Sequence, residues 1–107
     1  MLLDKNADPN ARGRDFGNAL QAASSEGHDT VVKMLLDKNA DPNARGGYYG
    51  NALQVASSGG HDTVVKMLLD AGAEVNAQGG HFGNALQAAS LRGHEMVVKL
   101  LKAKGAE

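Results

Sequence analysis

The sequence predicts an all-α fold, a solenoid of stacked helix–turn–helix units with short hairpin-like turns between them. Three observations predict it. The first is an internal period: Gly-Asn-Ala-Leu-Gln stands at Gly17–Gln21, Gly50–Gln54 and Gly83–Gln87, each copy 33 residues after the last. Gly-His follows at Gly27, Gly60 and Gly93 with the same shift, residues 12–44 and 45–77 agree at 24 of 33 positions, and residues 1–12 repeat residues 34–45 without a change. The second is composition. Of 107 residues 42% are hydrophobic, yet two Phe, two Tyr and no Trp cannot build one large aromatic centre, so Leu, Val, Ala and Met must pack a core spread along the chain. The third is that each unit contains two short helical patterns with their own start and stop signals.

In the first helix of each unit, Asn18, Asn51 and Asn84 are suited to N-capping, and Gln21, Gln54 and Gln87 lie three positions on, the spacing of a capping box. Leu20, Ala22 and Ala23 then present a face small enough for close helix approach, and Gly27, Gly60 and Gly93 end the helix. The second helix starts near His28. It holds Asp29 in the first turn, where the helix dipole favours an anion, and carries Val31, Val32, Leu35 and Leu36 along one side. Asn39, Gly72 and Gly105 stand where a left-handed residue would stop it, and the polar stretch from Ala40 to Gly46, with Pro42 and Asn43, joins one unit to the next. Helices of about ten residues are marginal alone in water. A single unit cannot bury both its apolar faces, so neighbouring units must stack.

These motifs resemble the ankyrin repeat family over essentially the whole chain: the 33-residue period, Leu-x-x-Ala before Gly-His, Val-Val-Lys-x-Leu-Leu, and Gly-Ala-Glu-Val-Asn-Ala at Gly72–Ala77. The family's Thr-Pro-Leu-His reads Asn-Ala-Leu-Gln here. Its turn glycine is replaced by Phe16, Tyr49 or Phe82, with glycine one place later. The Gly-Asn-Ala-Leu-Gln form is similar to repeats of large fungal multidomain proteins. The resemblance implies one ankyrin-repeat domain over residues 1–107, with a partial repeat at 1–11 and repeats at 12–44, 45–77 and 78–107. It also implies a module that binds another protein through its concave surface.

Other classes lack their chemistry. A net charge of −1 gives no field to draw nucleic acid or an anionic membrane, and no apolar run is long enough for a signal peptide or a membrane helix. Without cysteine there are no disulfides or thiolate metal sites, which fits an intracellular, cytoplasmic protein. The glycine-rich stretch at Gly46–Gly50 lacks the Gly-Lys-Ser/Thr of a phosphate loop. No His-Glu-x-x-His occurs, and the serines have no base at a characteristic spacing. No catalytic residue, cofactor, metal or small-molecule substrate is therefore expected. His28, His61 and His94 occur once per unit, too far apart to converge on one ion and better suited to bonding backbone at the inter-helix turn. Lys33, Lys66 and Lys99 follow Asp29, Asp62 and Glu95 by four residues, a spacing for solvated ion pairs on a helix face.

The units differ mainly at two places. In the turn the equivalent residues are Arg14, Gly47 and Gly80; Asp15, Tyr48 and His81; and Phe16, Tyr49 and Phe82. At the end of the first helix they are Ser25, Ser58 and Leu91, then Glu26, Gly59 and Arg92. Stacking pins core positions, whereas exposed groove positions are free to diverge. In the family both places line the concave surface, so the resemblance carries partner contact onto Arg14, Asp15, Phe16, Ser25, Glu26, Tyr48, Tyr49, Ser58, His81, Phe82, Leu91 and Arg92. All four aromatics fall in the turns. Phe16, Tyr49 and Phe82 are placed either to stack as a ladder or to face a partner, while Tyr48 and His81 have no counterpart in the first unit. The alternative function is a structural spacer within a longer solenoid of a multidomain signalling protein. Met1 is equivalent to Met34, inside a second helix, so a preceding extension is expected; Lys102 in place of Leu69 suits a solvent-facing last helix.

Overall fold

A computed structural model describes residues 13–44, 50–79 and 83–106, with residues 13–18 described for the backbone alone. Six helices run in order: α1 (Gly13–Ser25), α2 (Asp29–Asp37), α3 (Ala52–Ser58), α4 (Asp62–Asp70), α5 (Ala85–Leu91) and α6 (Glu95–Ala103). Each odd helix pairs with the even helix that follows it. The odd helices pack as one layer, α1 on α3 and α3 on α5, and the even helices as a second, α2 on α4 and α4 on α6. The result is an elongated stack, 40 × 22 × 21 Å. Among the described residues the only strand-like pairing is a bridge between Gly79 and Gly83 in the turn before α5.

The helix ends follow from the repeated glycines and asparagine. At the end of α3, Gly60 takes φ 71°, its amide bonds the Ser57 carbonyl, and the next amide, His61, reaches back to Ala56 at 3.0 Å. This is the paired closure that left-handed geometry permits and a side chain with Cβ resists. The same pair of bonds recurs after α1 and α5. The second helices close likewise: Ala40 N–H to Leu35, Ala73 N–H to Leu68 and Ala106 N–H to Leu101, across left-handed Asn39, Gly72 and Gly105.

At the start of the helices the structure departs from the sequence reading in the first unit. Asn51 and Gln54 form the full capping box on α3, at 2.9 and 3.0 Å. On α5 the Asn84 half forms, accepting from the Gln87 amide at 2.8 Å. Helix α1 is described from Gly13, so Asn18 lies inside it, and Arg14, Asp15 and Phe16 belong to helix rather than to a turn between units. A local difference accompanies this: Arg14, a good helix former, stands where the later turns have Gly47 and Gly80. The turns before α3 and α5 have backbone carbonyls held by a glutamine of the preceding unit.

The core runs along the interface of the two layers: Leu20, Val32, Leu35, Leu53, Val64, Val65, Leu68, Val97 and Leu101 are buried, with Ala23, Ala52, Ala56, Ala85 and Ala89 between them. Helix α3, flanked on both sides, buries every residue but its last. Ser24 and Ser57 sit in this layer at 0% exposure, and their Oγ atoms have no hydrogen-bond partner among the described residues. The contact therefore selects a small side chain there and not a hydroxyl. Replacing Ser57 with Ala removes an unsatisfied buried hydroxyl and improves helix propensity, so it raises the unfolding free energy by about 1 kcal/mol. Urea unfolding of Ser57→Ala beside the parent chain measures this, and a loss of stability would show that the hydroxyl has a partner after all.

Candidate functional site

Three polar side chains per unit join each unit to its neighbour. Gln54, 1% exposed, uses its carbonyl oxygen for the capping box and its amide nitrogen for the next turn, donating to Ala77, Gly79 and Gly83 carbonyls at 3.3, 3.0 and 3.0 Å. Gln21 does the same one unit earlier, donating to Ala44 and Gly50 at 3.3 Å each. Asn43 accepts from the Glu74 amide at 2.7 Å and donates to the Gly72 carbonyl at 3.1 Å, and Asn76 donates to Gly105 at 3.1 Å. The sequence reading found the capping role of the glutamines and missed the donor role. A signal was present: glutamate would cap as well, yet it has no N–H to give, and all three units carry glutamine.

The histidines make the third connection. His61 Nε2 lies 3.0 Å from the Ser25 carbonyl and His94 Nε2 lies 3.0 Å from the Ser58 carbonyl, each reaching back to the first helix of the preceding unit. A carbonyl only accepts, so Nε2 carries the proton. Each ring packs against the turn glycine of that unit: a Cβ on Gly27 would meet His61 Nδ1 at 2.6 Å, and one on Gly60 would meet His94 Nδ1 at 2.6 Å. His28 has no such seat among the described residues and rests 3.3 Å from Glu26 Oε1 at the surface.

The row of residues at the ends of the first helices is thus built on a fixed backbone with free side chains. Ser25 ends α1 exposed, Ser58 ends α3 half-buried, and Leu91 ends α5 at 77% exposure. Glu26 and Arg92 flank the row, both exposed. Repeat stacking brings these positions into line, since the carbonyls of Ser25 and Ser58 are the histidine acceptors. Tyr48, Tyr49, His81 and Phe82 lie outside the described residues, as do the side chains of Arg14, Asp15 and Phe16. Lys33 pairs with Asp37 at 3.2 Å, both exposed, rather than with Asp29. The reason shows in the next unit, where the first-turn Asp62 turns its carboxylate to the Thr63 amide at 2.9 Å, drawn by the helix N-terminus.

Among the described residues no group of three or more His, Asp or Glu side chains converges as a metal site, and no helix is long and apolar enough to cross a membrane. An open groove between α2 and α4 is lined by Lys33, Leu36, Asp37, Met67, Asp70 and Ala71. Comparison with known families matches the chain to a model of ankyrin repeats (3 copies) over residues 1–79. No curated protein matches the chain.

The turn glycines offer a direct measure of the histidine connection. Gly60 and Gly93 have nearly equal φ, 71° and 72°, yet a Cβ on Gly93 meets nothing within 4 Å among the described residues. Gly93→Ala therefore reports backbone strain alone, about 1 kcal/mol. Gly60→Ala adds displacement of the His94 ring and loss of its hydrogen bond, for about 2–3 kcal/mol in total. Equal losses in chemical denaturation would mean that the imidazole seat contributes nothing.

Proposed function

The chain belongs to the ankyrin repeat family, and from that premise we propose that it binds another protein through the concave face formed by the turns and the ends of the first helices. Ankyrin repeats are generally protein–protein interaction modules, and the family is typically non-enzymatic. The proposed contact residues are Arg14, Asp15 and Phe16; Ser25 and Glu26; Tyr48 and Tyr49; Ser58; His81 and Phe82; and Leu91 and Arg92. The observation that carries this reading is the row at Ser25, Ser58 and Leu91. The carbonyls of Ser25 and Ser58 serve the stack, their side chains do not, and the third unit replaces serine with an exposed leucine.

Tyr48 and His81 are the sharpest test, because aromatic side chains concentrate binding energy at interfaces and neither has a counterpart in the first unit. Changing both to Ala weakens partner binding at least tenfold, about 1.4 kcal/mol, and moves stability by no more than about 0.5 kcal/mol. Titration calorimetry on a partner captured from cell extract, beside thermal unfolding, reads both quantities. Unchanged affinity with a lowered melting temperature would sink the reading. The near-identity of residues 12–44 and 45–77 favours a second reading, a spacer segment of a longer solenoid. A spacer captures no protein above background.

A further inference from the structure

The layer of second helices carries a groove that lies apart from the proposed concave face. Helices α2 and α4 pack side by side, and between them a groove of about 340 Å³ stays open to solvent. Leu36 and Met67, half-buried against the core, form its floor, and Ala71 at the end of α4 keeps one side low. Charge sits on the rim. Lys33 pairs with Asp37 at 3.2 Å, so each offsets the other. Asp70 follows Lys66 by four residues, the spacing of Lys33 and Asp37, yet the two do not pair. Its carboxylate is exposed and has no ion pair or hydrogen bond among the described residues. The groove is thus apolar below, with one uncompensated negative charge at its edge. The same positions between α4 and α6 read differently: Leu100, Ala103 and Lys104 stand where Met67, Asp70 and Ala71 stand here.

The form of the groove selects its occupant. An open groove cannot enclose most of a small molecule, as ligand pockets do. Nor can it add a strand, because the backbone of α2 and α4 is bonded within each helix and offers no free edge. What it can take is the side-chain ridge of another helix, packed on its two walls at about 8–10 Å. Helices α2 and α4 have 9 residues each, a length of about 13 Å. Two to three turns of an incoming helix match that, with apolar anchors at i, i+4 and i+7. Met67 suits such anchors, since an unbranched thioether adjusts to the shape presented. Asp70 selects the flank: a lysine or arginine beside the apolar stripe meets the groove's free charge, and a carboxylate there is repelled. We propose that the α2–α4 groove docks an amphipathic helix of another protein that carries Lys or Arg beside its apolar stripe. The site is on the second-helix layer, so a protein held there and one on the concave face do not compete.

A synthetic alanine-rich peptide of about 16 residues, with leucines at i, i+4 and i+7 and lysines beside them, is the probe. Titrated into the isotope-labelled full chain and followed by NMR, it binds with a Kd below about 1 mM. The amide signals of Leu36, Asp37, Met67 and Asp70 shift. The same peptide with glutamates for lysines binds about tenfold more weakly, and a copy with a central proline, which breaks the helix, loses as much. The repeat itself supplies variants of the chain. Ala71→Lys copies Lys38 and Lys104, and Asp70→Ala copies Ala103, so neither changes the melting temperature. Ala71→Lys lays an alkyl stem and a cation over the groove and weakens the lysine peptide about tenfold. Asp70→Ala weakens it about threefold, as fits an exposed ion pair. No binding by the lysine peptide overturns the proposal, as does binding that shifts amides mainly outside α2 and α4 or that ignores Ala71→Lys. Equal binding by the proline peptide assigns the groove to a non-helical partner and overturns it too.

Discussion

The amide of Gln54 states the constraint on which the stack depends. Among the described residues of the turn that follows it, the regular pairing is the bond between Gly79 N–H and the Gly83 carbonyl. Buried backbone carbonyls have to find donors, and here the donor comes from the previous unit. The dependence also runs backwards, since the carbonyl of Ser58, at the end of α3, is met by His94 of the next unit. A unit thus closes the turn ahead of it and has its own helix end closed by the unit ahead. Stability in such a stack resides in nearest-neighbour interfaces rather than in single units. That explains why Gln, Asn and His recur with the same 33-residue period as the leucines.

Apolar packing alone would leave the register loose. The layer of first helices is largely alanine and leucine, and such a surface permits small slips between neighbours. The polar connections remove that freedom, because a slip of one residue parts the Gln54 amide from its carbonyls and lifts the His94 ring from Gly60. Packing supplies most of the free energy; the directional bonds select one arrangement. Gly27 and Gly60 serve both ends at once. Each takes the left-handed conformation that closes its helix, and each leaves room for the imidazole that joins the next unit.

Much of this was legible in the residues. The period, the asparagine caps of α3 and α5, the left-handed stops at Asn39, Gly72 and Gly105 and the apolar side of the second helices are local signals, and the structure carries them where the sequence places them. What escaped were competing local signals and effects that need the neighbour. Asn18 has the sequence of a cap, but Arg14 stands where the later turns have Gly47 and Gly80, and α1 runs through it. Lys33 lies four residues from carboxylates on both sides, and spacing alone does not choose; the helix N-terminus competes for Asp29, while Asp37 has no such competitor. The donor role of the glutamines was visible only as a preference for Gln over Glu. On the candidate surface, Ser25, Glu26, Ser58, Leu91 and Arg92 could be placed from the repeat, because their position depends on backbone that the period fixes. The orientation of the turn aromatics depends on side-chain packing that no repeat dictates.

That division between backbone and side chain bears on how an interaction surface arises in such a fold. At position 58 the stack uses the carbonyl and leaves the side chain idle, so serine can give way to leucine at position 91 without touching any bond that holds the units together. One position on, Glu26 and Arg92 are exposed and opposite in charge, whereas Gly59 has to stay small because a Cβ there would meet His61 Nε2 at 2.5 Å. By contrast, nothing at Leu53 or Gly60 can change without cost to a neighbour. A surface whose backbone is held by the fold and whose side chains are not is preorganised and free to vary, and both properties favour recognition. On the proposed reading, a partner meets a row of side chains whose spacing is set by the helix stack and whose chemistry is set unit by unit. Specificity can then change without a change in fold.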